Sequence, residues 1–388
     1  MVSHIELGSI LHIEKGKKPK RQQTEMAEGL LPYVDIKAFE KGIIDNYASP
    51  EKCLLCEDGD LLIVCDGSRS GLTGRAVKGV VGSTLSKIYA DGLTTEYLQY
   101  FIQSKYILLN TQKKGTGTPH LNAEILKRSK LVVPTIPEQE RIVSKIEELF
   151  SKLDASVAEL QTAKEKLKVY RQAVLKEALE GDYPCVRLKE IATAFSGYAF
   201  KSKKYSSDGR YVVVKIGNVK PFHFDFSRDL TKTSEIDDNI LNKYLLKKGD
   251  CLITMTGSRG KRDYGYVAMI EAQDNYLLNQ RVSALRFNDS VALPKFYEYV
   301  LSSPQYRNQF FSYETGNVGQ GNVGIKALTE PTVICPTLKT QEAIIQSIEF
   351  RLSLCDSIEQ SIDTSLQQAE ALRQSILKQA FEGKLKND

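Results

Sequence analysis

The chain is one unit written twice, and that repeat limits its fold more than any other feature. Near the start, Ile5, Leu7, Ile10 and Gly16 line up with Val186, Leu188, Ile191 and Gly197 at an offset of 181. Gly59-Asp60-Leu61-Leu62-Ile63 followed by Gly67-Ser68-Arg69 matches Gly249-Asp250-Cys251-Leu252-Ile253 followed by Gly257-Ser258-Arg259 at an offset of 190. Pro134-Thr135-Ile136 and Gln139-Glu140 match Pro336-Thr337-Leu338 and Gln341-Glu342 at 202, and the run from Tyr170 to Gly181 matches Leu372 to Gly383 at the same offset. The offset grows in steps, as loop insertions make it. A period near 190 is far too long for a solenoid repeat, so the duplicated object is a domain plus a helix.

Each copy has a mixed head and a helical tail. Short apolar runs such as Leu61–Val64 and Tyr211–Val214, bounded by Gly, Pro, Asp and Asn, predict strands. Thr95–Leu109 and Pro294–Phe311 predict helices, so the fold class is α+β. Between Pro137 and Gly181 no Gly or Pro interrupts good helix formers, which predicts a helix about 65 Å long. Its apolar rhythm runs Ile142, Ile146, Leu149, Leu153, Leu160, Ala163, Leu167, Tyr170 and Val174, with Ser156 the polar exception. The second tail repeats it with Ile344, Ile348, Leu352, Cys355, Ile358, Ile362, Leu366, Ala369, Leu372 and Ile376. So narrow a stripe predicts a coiled-coil seam between the two tails, antiparallel if the copies are related by an approximate two-fold; a long helix packed on its own head is the alternative. The expected boundaries are 1–136 for the first head, 137–181 for its helix, 182–338 for the second head and 339–388 for the second helix and tail.

The chemistry of common enzymes is missing. No Gly-x-x-x-x-Gly-Lys-Ser/Thr phosphate loop, no Gly-x-Gly-x-x-Gly after a strand, no His-Glu-x-x-His and no Gly-x-Ser-x-Gly occurs in the 388 residues. None of the 12 prolines adjoins another, which removes the Asn/Asp-Pro-Pro-aromatic motif of amino-methylating DNA methyltransferases. The 7 cysteines are scattered, and Cys53 and Cys56 have no second pair to complete a zinc site, so they read as buried thiols. No window is apolar enough to span a membrane and the first residues do not resemble a signal peptide, which points to the cytoplasm. No cofactor is expected.

A net charge of +5 permits nucleic-acid binding without establishing it, because the placement of charge matters more than its total. Basic and polar loops recur at matching places in both heads. The first head offers Lys17, Lys18, Lys20 and Arg21, then Ser68, Arg69 and Arg75, then Lys113, Lys114, Thr116, Thr118 and His120. The second offers Lys201, Lys203 and Lys204, then Ser258, Arg259, Lys261 and Arg262, then Asn317, Gln320 and Asn322. Lysines and loop amides suit phosphates, whereas Arg, Asn and Gln suit base edges; each loop taken singly could equally be a solvated turn.

A head ending in Pro-x-Ile/Leu-x-x-Gln-Glu, a long helix closing on Leu-Lys-x-Ala-x-Glu-Gly, and the whole occurring twice resembles the specificity subunit of type I restriction-modification enzymes. The resemblance implies that the heads are target recognition domains, each reading one half of a bipartite duplex DNA site. It implies that the antiparallel helices set the spacing and dock two methyltransferase subunits, which use S-adenosylmethionine. An ATP-driven endonuclease and translocase subunit would join for cleavage, and this chain would itself be non-catalytic. One departure stands out: Lys339 replaces the second proline of the first copy, Pro137, which blurs where the second helix begins. The competing reading is a coiled-coil adaptor whose heads bind protein.

Overall fold

A computed structural model describes residues 4–115, 119–227, 230–272, 275–316 and 319–385. The two heads repeat one architecture. In the first, an antiparallel sheet orders Leu11–Lys15, Leu85–Ala90, Leu61–Val64 and Thr73–Arg75, with Ile88 opposite Ile13 and Ile63 opposite Thr73. In the second, Ala192–Ser196, Val282–Phe287, Cys251–Thr254 and Val267–Met269 take the same order. Each head adds a mixed sheet containing one parallel pair, Tyr33 against Val80 in one and Val213 against Leu277 in the other. A ribbon of His4–Glu6 with Lys130–Val132 closes the first head, and Cys185–Arg187 with Thr332–Ile334 closes the second.

The central strand explains the apolar run that marks each copy. Successive side chains point to opposite faces of a sheet. Leu61 and Ile63 therefore enter the core under helix Thr95–Ser104, while Leu62 and Val64 enter the core shared with the mixed sheet. Both faces are covered, so all four residues are apolar. Cys251, Ile253 and Leu252 divide in the same way. Cys56 is buried, its thiol donates to Val77 O and Gly79 O, and burial pushes its pKa up to about 11. Gly16 and Gly197 end the first strand of each sheet where the chain passes a backbone carbonyl, Gly82 O in one head and Asn279 O in the other, with no room for a Cβ.

The helical expectations hold with local changes. Thr95–Ser104 and Tyr106–Thr111 are separate helices, as are Pro294–Ser302 and Pro304–Ser312. In the second pair Pro304 lacks an N–H for the preceding turn, and extended Ser303 caps the new helix through Tyr306 N. The long helices are Ile136–Ala178 and Leu338–Phe381. Thr337 caps the second through Thr340 N, so the missing proline costs it nothing in length.

Two compact units share these helices: residues 1–162 with 362–388, and residues 163–361. In the first, Ile146 and Phe150 pack with Ile376, Leu377 and Ala380, and Arg373 pairs with Asp154 while lying 4.3 Å over the Phe150 ring. Phe381 sits edge-on to Tyr97 and Phe101, at 5.1 and 5.3 Å. In the second unit, Leu175 and Leu179 join a core with Ile344, Ile348 and Leu352. Arg171 reaches Asp356 at 2.7 Å and Glu359 at 3.0 Å, and Arg351 reaches Glu177 at 2.8 Å. Within each unit the partner's number falls as the other rises, so the helices pair antiparallel. Arg171–Asp356 and Arg373–Asp154 are the same pair in the two copies.

The seam is turned slightly from the stripe read in the sequence. Ile146, Leu167, Val174, Ile348, Cys355, Ile362 and Ile376 are buried, and Leu153 and Leu160 are half-buried. Tyr170, Ile358 and Leu372 are 43, 42 and 51% exposed, and Ser156 and Ala163 also face solvent. The seam places pass to Val157, Lys164 and Arg171 on one helix and to Glu359 and Arg373 on the other, all half-buried. Their aliphatic stems cover the contact while the charges reach its rim.

Candidate nucleic-acid interface

In each head the Gly-Ser-Arg turn folds against the polar loop that precedes the long helix. In the first, Gly67 N donates to Pro119 O at 2.8 Å, and Lys113 Nζ and Asn110 Nδ2 both donate to Ser68 O at 2.9 Å. Asp66 pairs with His120 as an isolated antiparallel bridge. Its carboxylate accepts from His120 Nδ1 at 2.7 Å and from Lys15 Nζ at 2.9 Å. Burial pushes the Asp66 carboxyl up, but these two hydrogen bonds outweigh it and hold the pKa below its ordinary value. Lys15 thereby ties the start of the Lys17–Arg21 run beside the turn.

The second head builds the same junction as a ladder. Thr256 lies opposite Asn322, the repeat equivalent of the Asp66 and His120 bridge, and Ser258 lies opposite Gln320. Arg259 N donates to Gly319 O at 3.3 Å and Arg259 Nη1 to Gly316 O at 3.3 Å. The turn is longer here and carries Lys261 and Arg262, with Ser258 N held by Asp263 Oδ1 at 2.6 Å.

Both turn arginines rest on a carboxylate. Arg69 pairs with Glu40 on helix Ile36–Lys41. Arg259 Nε pairs with Glu314 Oε2 at 3.2 Å, and the buried Tyr264 hydroxyl donates to the other Glu314 oxygen. Burial and that acidic partner hold the Tyr264 phenol above its ordinary pKa. The carboxylates lie beneath and the guanidiniums outside: side-chain exposure is 23% for Glu40 and 9% for Glu314, against 51% and 49% for the arginines.

Other candidates are placed differently. Arg75 is turned to structural work, donating to Gly59 O at 2.8 Å and pairing with Glu96 at 2.7 Å, because its strand lies under helix Thr95–Ser104. Lys17, Lys18, Lys20 and Arg21 are exposed, with Lys20 3.8 Å from Glu51. Lys201, Lys203 and Lys204 sit at the edge of the second mixed sheet, where Lys204 meets Glu235 at 3.7 Å. Thr116, Thr118 and Asn317 lie outside the described residues. Sequence reasoning placed Lys15 at the head of the basic run but missed Glu40, Asp66, Asn110, Arg307 and Glu314, which no motif marks.

Arg262 and Arg307 flank the Phe311 ring at 4.8 and 5.1 Å and line a cavity of about 440 Å³. Among the described residues neither is paired with a carboxylate. Burial and the nearby Arg262 charge lower the Arg307 pKa. Among the described residues no group of three His, Cys, Asp or Glu is placed to hold a metal ion, and no helix is long and apolar enough to cross a membrane.

Comparison with known proteins matches these heads to one family. The family model described as type I restriction modification DNA specificity domain matches residues 2–165 and again 180–368. The type I restriction enzyme MjaVIII specificity subunit of Methanocaldococcus jannaschii is 26% identical over 98% of this chain and 92% of its own length. The EcoKI specificity subunit of Escherichia coli is 26% identical over 65% of this chain and 57% of its own. Among solved structures, a chain from a study of complex assembly and conformational transition of the type I R-M system superposes with a TM-score of 0.73 at 18% identity, covering 99% of this chain and 98% of that one. The HsdS subunit from Thermoanaerobacter tengcongensis gives 0.58 at 18% identity, covering 99% and 97%.

Proposed function

Because the chain belongs to the family of type I restriction-modification DNA specificity subunits, we propose that it is the non-catalytic reader of a bipartite duplex DNA site, one half per head. The observation that carries this reading is the same polar junction, turn against loop, at equivalent places in two heads. Each junction offers outward donors of both kinds: Lys113 and Lys261 suit phosphates, and Arg69, Arg259, Gln320 and Asn322 suit base edges. The paired helices set the spacer and dock two copies of a methyltransferase subunit, and an endonuclease and translocase subunit completes the cytoplasmic complex.

The deciding experiment maps methylated adenines in the host genome with and without this gene. A bipartite motif that vanishes on deletion supports the reading, and an unchanged map counts against it. In vitro, duplex binding should weaken steeply with salt, because neutralised phosphates release counterions. A protein-binding adaptor has no such slope.

Arg69→Ala should impair one half-site and Arg259→Ala the other, each by about 1–3 kcal/mol, measured with duplexes mutated in one half at a time. Equal loss at both half-sites for either variant would contradict independent readers. Removing seven residues from each long helix should change the preferred spacer length in a selection from randomised duplexes. An unchanged spacer would show that the helices do not set it.

A further inference from the structure

We propose that Glu40 and Glu314 are positioning residues that fix Arg69 and Arg259 to read a guanine, one in each half-site. This rests on the DNA-recognition reading above and assigns it a base. The two arginines are repeat equivalents, yet their carboxylates are not: Glu40 comes from a helix of the first head and Glu314 from a strand of the second. The same support is built from different parts of the fold, so it is not simply carried along by the duplication.

The chemistry selects the ligand. Arginine carries five N–H donors in a planar fork. In the second head Nε donates to Glu314 and Nη1 to Gly316 O, which leaves both Nη2 hydrogens and one Nη1 hydrogen without a partner among the described residues. Donors of this kind match the O6 and N7 acceptors of guanine in the major groove. Glu314 is itself fixed, since the Tyr264 hydroxyl takes its second oxygen. A guanidinium already neutralised by a carboxylate gains little from a phosphate, whereas the neutral guanine acceptors need only its directed hydrogens. Arg262, which has no carboxylate partner among the described residues, suits the phosphate backbone instead, whereas Arg307 donates to the Gly265, Tyr264 and Arg262 carbonyls.

The test uses the full chain in complex with its methyltransferase subunits and duplexes carrying the mapped site, with each guanine replaced in turn by 7-deazaguanine, which lacks the N7 acceptor. In each half-site one replacement should weaken binding on the order of tenfold. Arg259→Ala should abolish that response at one half-site only, and Arg69→Ala at the other. Glu314→Gln and Glu40→Gln should shrink the guanine to 7-deazaguanine ratio severalfold at their own half-site without changing the salt slope. The unaffected half-site in the same variant reports that the protein is folded.

A half-site without guanine overturns the proposal, as does indifference to every 7-deazaguanine. So does a Glu314→Gln variant that binds all duplexes equally more weakly, or an Arg259→Ala variant that changes only the salt slope. Absence of any salt-dependent duplex binding would instead sink the DNA-recognition reading itself.

Discussion

Gln341→Leu is expected to destabilise the second unit by about 3–5 kcal/mol, and Gln139→Leu the first unit by a similar amount. Both glutamines are fully buried at the start of a long helix. Gln341 Oε1 accepts from Leu293 N at 2.8 Å, and its Nε2 donates to Val291 O at 2.9 Å and Pro336 O at 2.8 Å. Gln139 makes the same set with Thr94 N, Gly92 O and Pro134 O at 2.8, 2.7 and 2.9 Å. Leucine nearly fills the same volume, so the loss is not chiefly a cavity. It strands one amide and two carbonyls without water, at about 1–3 kcal/mol for each unsatisfied group. Hydrogen exchange resolves the outcome, because the two units need not unfold together. Protection should fall most at Leu293 in Gln341→Leu and most at Thr94 in Gln139→Leu. Equal loss at both amides in either variant would contradict a local clamp. The clamp also gives a structural role to the Gln-Glu pair that recurs in both copies: its glutamine joins the helix to the loop before the head's own helix.

That clamp was visible in the sequence only as a repeated pair of letters. The duplication was legible as motifs recurring in the same order, and the strands Leu61–Val64 and Tyr211–Val214 and both long helices because each rests on a short-range pattern. The seam was read slightly out of phase. Counting apolar residues assigns Ala163 and Tyr170, whereas the contact uses the stems of Lys164 and Arg171, which a hydrophobic pattern scores as surface. The Gly-Ser-Arg turns and polar loops were legible as paired features of the repeat, and their mutual packing was not. The carboxylates beneath Arg69 and Arg259 were invisible. Glu40 precedes its arginine by 29 positions and Glu314 follows by 55, so no spacing common to both heads exists to be found. The contacts of Arg75 with Gly59 and Glu96 were equally invisible, because they are made across the fold.

Asp250→Ala should lower the stability of the second unit by about 3 kcal/mol, the lower end of the cost of breaking a buried ion pair. Asp250 is 1% exposed and immediately precedes the central strand Cys251–Thr254, where Oδ1 accepts from Arg286 Nε at 2.7 Å. Its Oδ2 accepts from Arg286 Nη2 at 2.6 Å and from Lys247 N at 2.7 Å. Alanine leaves the guanidinium without its fork partner. Arg286 is 38% exposed and lies 5.1 Å over Phe195, so water reaches the stranded charge and limits the loss. The first head answers with Asp60 and Lys87 at 2.6 Å, but both side chains are about a quarter exposed, at 26% and 25%. Asp60→Ala should therefore cost only about 1 kcal/mol. Denaturant unfolding followed by exchange in each unit compares the two variants directly. Adding Arg286→Met to Asp250→Ala removes the stranded charge and should recover much of the loss, because a well-packed apolar pair can replace a buried ion pair. A double variant as unstable as Asp250→Ala alone would assign the cost to the Lys247 amide instead.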